Sequence, residues 1–66
     1  MERLRELRRL RVLTLRELEE VSDVSYATIH RLERGHRNAH PSTIRKLARA
    51  LGVEPEELVR TEVGDE

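Results

Sequence analysis

Apolar residues recur at helical spacing along nearly the whole chain. Leu4, Leu7 and Leu10 stand at i, i+3 and i+6 among Arg and Glu residues, which predicts a first helix over about Glu2 to Arg11 with one apolar stripe. Leu15, Leu18 and Val21 repeat that spacing over Leu15 to Ser22. In the third segment, Ser25 to Gly35, Ile29 and Leu32 are the inward pair, and Ala27, Thr28, Arg31 and Arg34 fall largely elsewhere on the wheel. Ile44, Leu47, Ala48 and Leu51 follow at i, i+3, i+4 and i+7, the most regular pattern in the chain. A last short helix opens at Pro55 and offers Leu58 and Val59 as apolar contacts.

The residues between these segments supply starts and stops. Thr14 followed three residues later by Glu17 is a capping box, in which hydroxyl and carboxylate each satisfy one free amide. Ser25 stands where an N-cap oxygen belongs, and Gly35 where a left-handed residue ends a helix. Pro41 suits the first position of a helix, with His40 at its N-cap. Gly52 closes that helix, Val53 packs back over the end, and Glu54, Glu56 and Glu57 surround the positive end of the last helix. The pattern predicts an all-α, five-helix domain over residues 1–60. An acidic tail, 61–66, has little to bury and is expected to be disordered.

Two short helices joined by a tight turn, TLRELEEVSDVSYATIHRLERG from Thr14 to Gly35, form the centre of this plan. With Leu4, Leu7, Leu13-Thr14, Glu17-Leu18, Val24-Ser25, Thr28-Ile29, Leu32-Glu33-Arg34-Gly35 and the late run LARALGVEPEEL, the chain resembles the Cro/lambda-repressor-like helix-turn-helix family, also called the XRE family. The resemblance covers about Leu4 to Leu58. It implies a compact fold whose second and third helices make the helix-turn-helix, with the third entering the major groove of DNA. Four positions depart from the family pattern. Val12 stands where a Gly often ends the first helix; a β-branched residue resists positive φ, so the helix is expected to run on or the link to be extended. Leu15 replaces a Gln that commonly touches a phosphate. Glu19 occupies a site usually held by Ala and is expected to turn outward or meet Arg16 or Arg31. Asp23 replaces the turn Gly, and Asp visits the left-handed region at modest cost.

Composition narrows the function. Of 66 residues only Tyr26 is aromatic and none is Cys, so the core is aliphatic, and disulfides, thiolate catalysis and Cys-ligated zinc are excluded. The charged start is unlike a signal peptide and no apolar run approaches a membrane span; a soluble, cytoplasmic protein is expected. Net charge is zero, but it is a cancellation: residues 1–53 carry twelve Lys and Arg against seven acids, and residues 54–66 one Arg against six. A basic body with an acidic end suggests that the body meets nucleic acid. Within 25–49 there are six basic residues, Arg31, Arg34, Arg37, Arg45, Lys46 and Arg49, and one acid, Glu33.

The resemblance gives Tyr26, Ala27, Thr28 and Arg31 the base-facing positions. Their chemistry suits the role: an Arg fork takes guanine O6 and N7 together, Ala and Thr methyls pack on a thymine methyl, and Tyr adds stacking or a hydroxyl bond. Arg34, Arg37 and Asn38, with the amides around Gly35, are assigned to phosphates, which position the protein without reading sequence. Arg16 and Ser25 at the helix starts join them, and so does His30. His36 and His40 have a spacing that some zinc sites use, but with no Cys and no carboxylate nearby in sequence no metal or other cofactor is assigned. The three glycines, 35, 52 and 64, are isolated and form no phosphate-cradling loop, and a chain of this size has difficulty enclosing a dry pocket; an enzyme is not expected. The expectation is a small transcriptional regulator, repressor ahead of activator, bound as a homodimer to a palindromic site. Leu58, Val59 and Val63 offer an apolar patch for a partner subunit. The alternatives are an adaptor, coactivator or antitoxin-type partner protein on the same scaffold, and a generic basic RNA binder.

Overall fold

Each helix begins and ends on a local device that the sequence spells out. The computed structural model describes residues 1–35 and 39–59, with α1 at Glu2–Leu10, α2 at Leu15–Ser22, α3 at Tyr26–Glu33, α4 at Pro41–Leu51 and α5 at Pro55–Val59. No strand occurs among the described residues. The Thr14 hydroxyl accepts from the Glu17 amide at 3.0 Å while Glu17 Oε1 accepts from the Thr14 amide at 2.9 Å, so the capping box closes on both sides. Asp23 (φ 65°) and Gly52 (φ 74°) are left-handed and stop α2 and α4. His40 holds the N-cap of α4, but its side chain makes no capping bond.

The core is entirely aliphatic. Leu4 and Leu7 of α1, Leu18 of α2, Val24 of the turn, Ile29 and Leu32 of α3, Leu47, Ala48 and Leu51 of α4 and Leu58 of α5 are buried together. Helix α2 packs on α3 and α4, α1 on α3 and α5, and α4 on α5. The helix-turn-helix pair is thus backed by α1 and α4, which α5 joins to each other.

Three residues assigned to apolar contacts lie elsewhere. Leu10 is 66% exposed and Val21 59% exposed. Steps of three residues walk about 60° round a helix, so the third member of an i, i+3, i+6 series leaves the stripe. In α2 the inward row is Leu15, Leu18 and Ser22; Ser22 is buried and its Oγ accepts from the Val24 amide at 3.2 Å within the turn. Leu58 is buried in the core, so it is not part of a surface patch; Val59 is exposed and Val63 lies outside the described residues.

Val12 overturns the expectation that α1 runs on or that its link is extended. Its φ is 55°. The Val12 amide donates to the Arg9 carbonyl at 3.0 Å and the Leu13 amide to the Arg8 carbonyl at 3.1 Å, the paired bonds of a Schellman ending with valine in the glycine position. Three side-chain contacts hold the segment there. Arg8 donates through Nε and Nη2 to the two Glu33 oxygens at 2.6 and 3.0 Å, and through Nη1 to the Leu13 carbonyl at 2.8 Å. Arg11 donates through Nε and Nη2 to the Leu51 carbonyl at 3.1 and 2.9 Å, covering a free carbonyl at the end of α4. The Arg8 and Glu33 side chains are only 15% and 4% exposed. Hydrogen bonding to Glu33 raises the Arg8 pKa above its ordinary value despite the opposing effect of burial.

Two stability outcomes follow. Val12→Gly relieves a left-handed β-branched residue whose side chain is 85% exposed, and should raise unfolding stability by about 1 kcal/mol, read as a higher urea midpoint at unchanged slope. Glu33→Ala leaves a largely buried guanidinium unpaired and should cost about 3–5 kcal/mol, whereas Arg8→Met with Glu33→Leu should recover most of that loss.

Candidate nucleic-acid interface

Eight residues of α3 divide between an inner and an outer arc. Ile29 and Leu32 face the core, and Glu33 on the flank turns to Arg8. Tyr26, Ala27, His30, Arg31 and, at the C-cap, Arg34 are exposed. The exposed arc therefore carries a phenol, a methyl, an imidazole and two guanidiniums. None of its basic groups pairs with a carboxylate among the described residues.

The assigned residues among those described take the following places. Ser25 is the N-cap: its Oγ accepts from the Thr28 amide at 3.2 Å and donates to Thr28 Oγ1 at 3.0 Å. That bond occupies part of the Thr28 hydroxyl, and Thr28 is half-buried at the edge of the arc rather than at its centre. Tyr26 is the first residue of α3 and is 42% exposed, with the Arg16 guanidinium over its ring at 4.3 Å from the centroid. The structure thus joins Arg16 to Tyr26 and Ser25 to Thr28. Arg37, Asn38 and His36 lie outside the described residues.

The helix starts add donors. Backbone amides in the first turn of a helix have no helical acceptor, and capping satisfies Glu17 in α2 and Thr28 in α3. The amides of Leu15, Arg16, Tyr26 and Ala27 remain at two neighbouring positive helix ends. The Leu15 side chain is half-buried against the core, so any anion there meets backbone and Arg16. Glu19 is half-buried and joins no ion pair among the described residues, so neither Arg16 nor Arg31 neutralises it.

The basic run between 25 and 49 does not form one site. Arg45, Lys46 and Arg49 line a shallow groove between α4 and the end of α2, with Val21, Ser22, Asp23 and Ser42 and no α3 residue. Two features escaped the sequence reading: the long-range bonds of Arg8 and Arg11, and the Arg16–Tyr26 stack. The first had a partial signal, since Arg8 stands at i+4 from Leu4 and so lies beside it on the helix. The second joins residues ten apart in different helices, and no periodicity reports it.

An exposed basic helix, held by a neighbour through a left-handed turn, defines a helix-turn-helix domain. The Helix-turn-helix family matches residues 4–58, and the chain belongs to it, in the XRE or lambda-repressor-like branch, with α2 and α3 as its namesake pair. This is a DNA-binding family, not typically an enzymatic one. Comparison with curated proteins and with solved structures returned no match. No helix among the described residues is long and apolar enough to cross a membrane.

The cap of α3 can be tested separately from its exposed face. Ser25→Ala should lower stability by about 1 kcal/mol through loss of the N-cap, and Ser25→Asp should largely restore it, read by chemical unfolding in the absence of DNA.

Proposed function

We propose that this chain binds double-stranded DNA sequence-specifically as a small transcriptional regulator, with residues 25–34 in the major groove. The observation that carries the reading is the composition of the exposed α3 arc: Tyr26, Ala27, His30, Arg31 and Arg34 face outward while the only acid of the helix, Glu33, is paired to Arg8 on the inner flank. A surface of that kind suits base edges and phosphates together. Arg31, one turn into the helix and unpaired among the described residues, is the guanine-reading residue in this proposal. Tyr26 and Ala27 contact neighbouring bases, and Thr28 contributes its methyl from the edge of the arc. Arg34, His30 and Ser25, with Arg37 and Asn38 next in the sequence, hold the strand.

Two copies on a palindromic operator would place their recognition helices about 34 Å apart, or a multiple of that. Repression is the simpler mode for such a domain, since occupancy of a site suffices. The exposed Val59 of α5 is one place for a partner subunit or a regulating protein.

Selection of duplexes from a random pool tests the reading and returns an operator. The affinity for that operator should fall steeply with salt, log K changing by about −0.9 per phosphate neutralised for each unit of log salt. Arg31→Ala should relax one base position by about 1–3 kcal/mol, whereas Arg34→Ala should weaken all duplexes alike and reduce the salt slope by about one. A chain that retains no duplex in the pool while capturing a protein partner would be an adaptor instead.

A further inference from the structure

We propose that Arg16, held over Tyr26, is a specificity-determining residue that reads a guanine edge rather than a phosphate. The proposal rests on the DNA reading above and changes the role of one residue within it. The guanidinium carbon stands 4.3 Å from the centroid of the Tyr26 ring, a cation–π distance that orders an otherwise long and mobile side chain. Contact through the flat face leaves the N–H donors round the edge of the guanidinium available. No carboxylate or carbonyl of the described residues takes them: the arginine hydrogen bonds are those of Arg3, Arg8 and Arg11. Arg16 is exposed, so its donors are also open to a ligand.

Position then chooses between the two acceptors. Tyr26 is the first residue of α3, and the N-terminal residues of a recognition helix are the ones that approach base edges. The stack draws Arg16 from α2 across to that end of α3, the end that approaches base edges in the DNA reading above. A phosphate is met as well by a flexible charge, whereas guanine O6 and N7 ask for a planar fork in a fixed orientation. Tyr26 supplies that orientation.

The test selects duplexes from a random pool with the wild-type chain and with Arg16→Ala, Arg16→Lys, Tyr26→Leu and Tyr26→Phe, each checked for helical content. The wild type should demand a guanine at a position that Arg16→Ala and Tyr26→Leu both relax, roughly ten- to a hundredfold. Arg16→Lys should relax it too, and Tyr26→Phe, which keeps the ring, should preserve it. Replacing that guanine by 7-deazaguanine, which lacks the N7 acceptor, should weaken the wild type and leave Arg16→Ala unaffected. Uniform weakening by Arg16→Ala, with every base preference intact and rescue by Lys, would make Arg16 a phosphate clamp and overturn the proposal. A wild type that retains no duplex would instead overturn the DNA reading itself, and the guanine role with it.

Discussion

The ion pair between Arg8 and Glu33 fixes the third helix to the first. Both carboxylate oxygens are engaged at 2.6 and 3.0 Å, and the remaining arm of the guanidinium bonds to the Leu13 carbonyl. One side chain therefore ties the end of α3, the end of α1 and the link into α2. A buried pair of this kind gives little net stability against an apolar replacement, because two charges must leave water. Its stronger effect is directional. The aliphatic core of leucines, Ile29, Val24 and Ala48 holds α3 by packing, which is non-directional, and the bidentate fork adds two N–H···O bonds of fixed geometry at one flank.

The last turn of α1 is where the polar ties converge. Arg8 reaches α3, Arg11 covers the final carbonyl of α4, and between Arg11 and Leu13 the backbone turns through the left-handed Val12. Strain at a non-glycine residue persists only where the surroundings over-determine it. Here the two Schellman bonds and the Arg8 bond to Leu13 do so from both sides. The strained valine and the bonds of Arg8 are one arrangement: the turn brings Leu13 to the Arg8 guanidinium, and Leu13 itself packs at the core edge.

What could be read from the sequence was local. The capping box at Thr14 and Glu17, the Ser25 cap, the left-handed Asp23 and the Pro41 and Gly52 boundaries of α4 each depend on residues a few positions apart, and each forms as the types suggest. What could not be read was decided by neighbours distant in sequence. Val12 takes a conformation its side chain disfavours because bonds elsewhere hold it. Leu10 and Val21 match an i, i+3 series but rotate out of the buried arc, while Ser22 enters it because the turn gives its hydroxyl a donor. In the candidate site, the exposure of Ala27, Arg31 and Arg34 was visible from the wheel, which also placed Thr28 outside, where it is half-buried. The engagement of Thr28 with Ser25 and the contact of Arg16 with Tyr26 were not, since both depend on side-chain geometry at the helix starts.

Net charge is a poor guide to what such a molecule meets, and the placement of one acid shows why. The chain as a whole is neutral, yet a ligand responds to the field within about a Debye length, roughly 8–10 Å, not to the total. On α3 the sum is set by which charges face outward. Glu33 is folded onto Arg8, so its negative charge is cancelled on the inner flank, and the outer arc keeps Arg31 and Arg34 without an acid beside them on that helix. Arg8, one of five basic residues in α1 and its cap that would otherwise add to a diffuse positive body, is the one used for this cancellation. The same bond that ties α3 to α1 thereby sets the balance of charge on the surface that α3 presents.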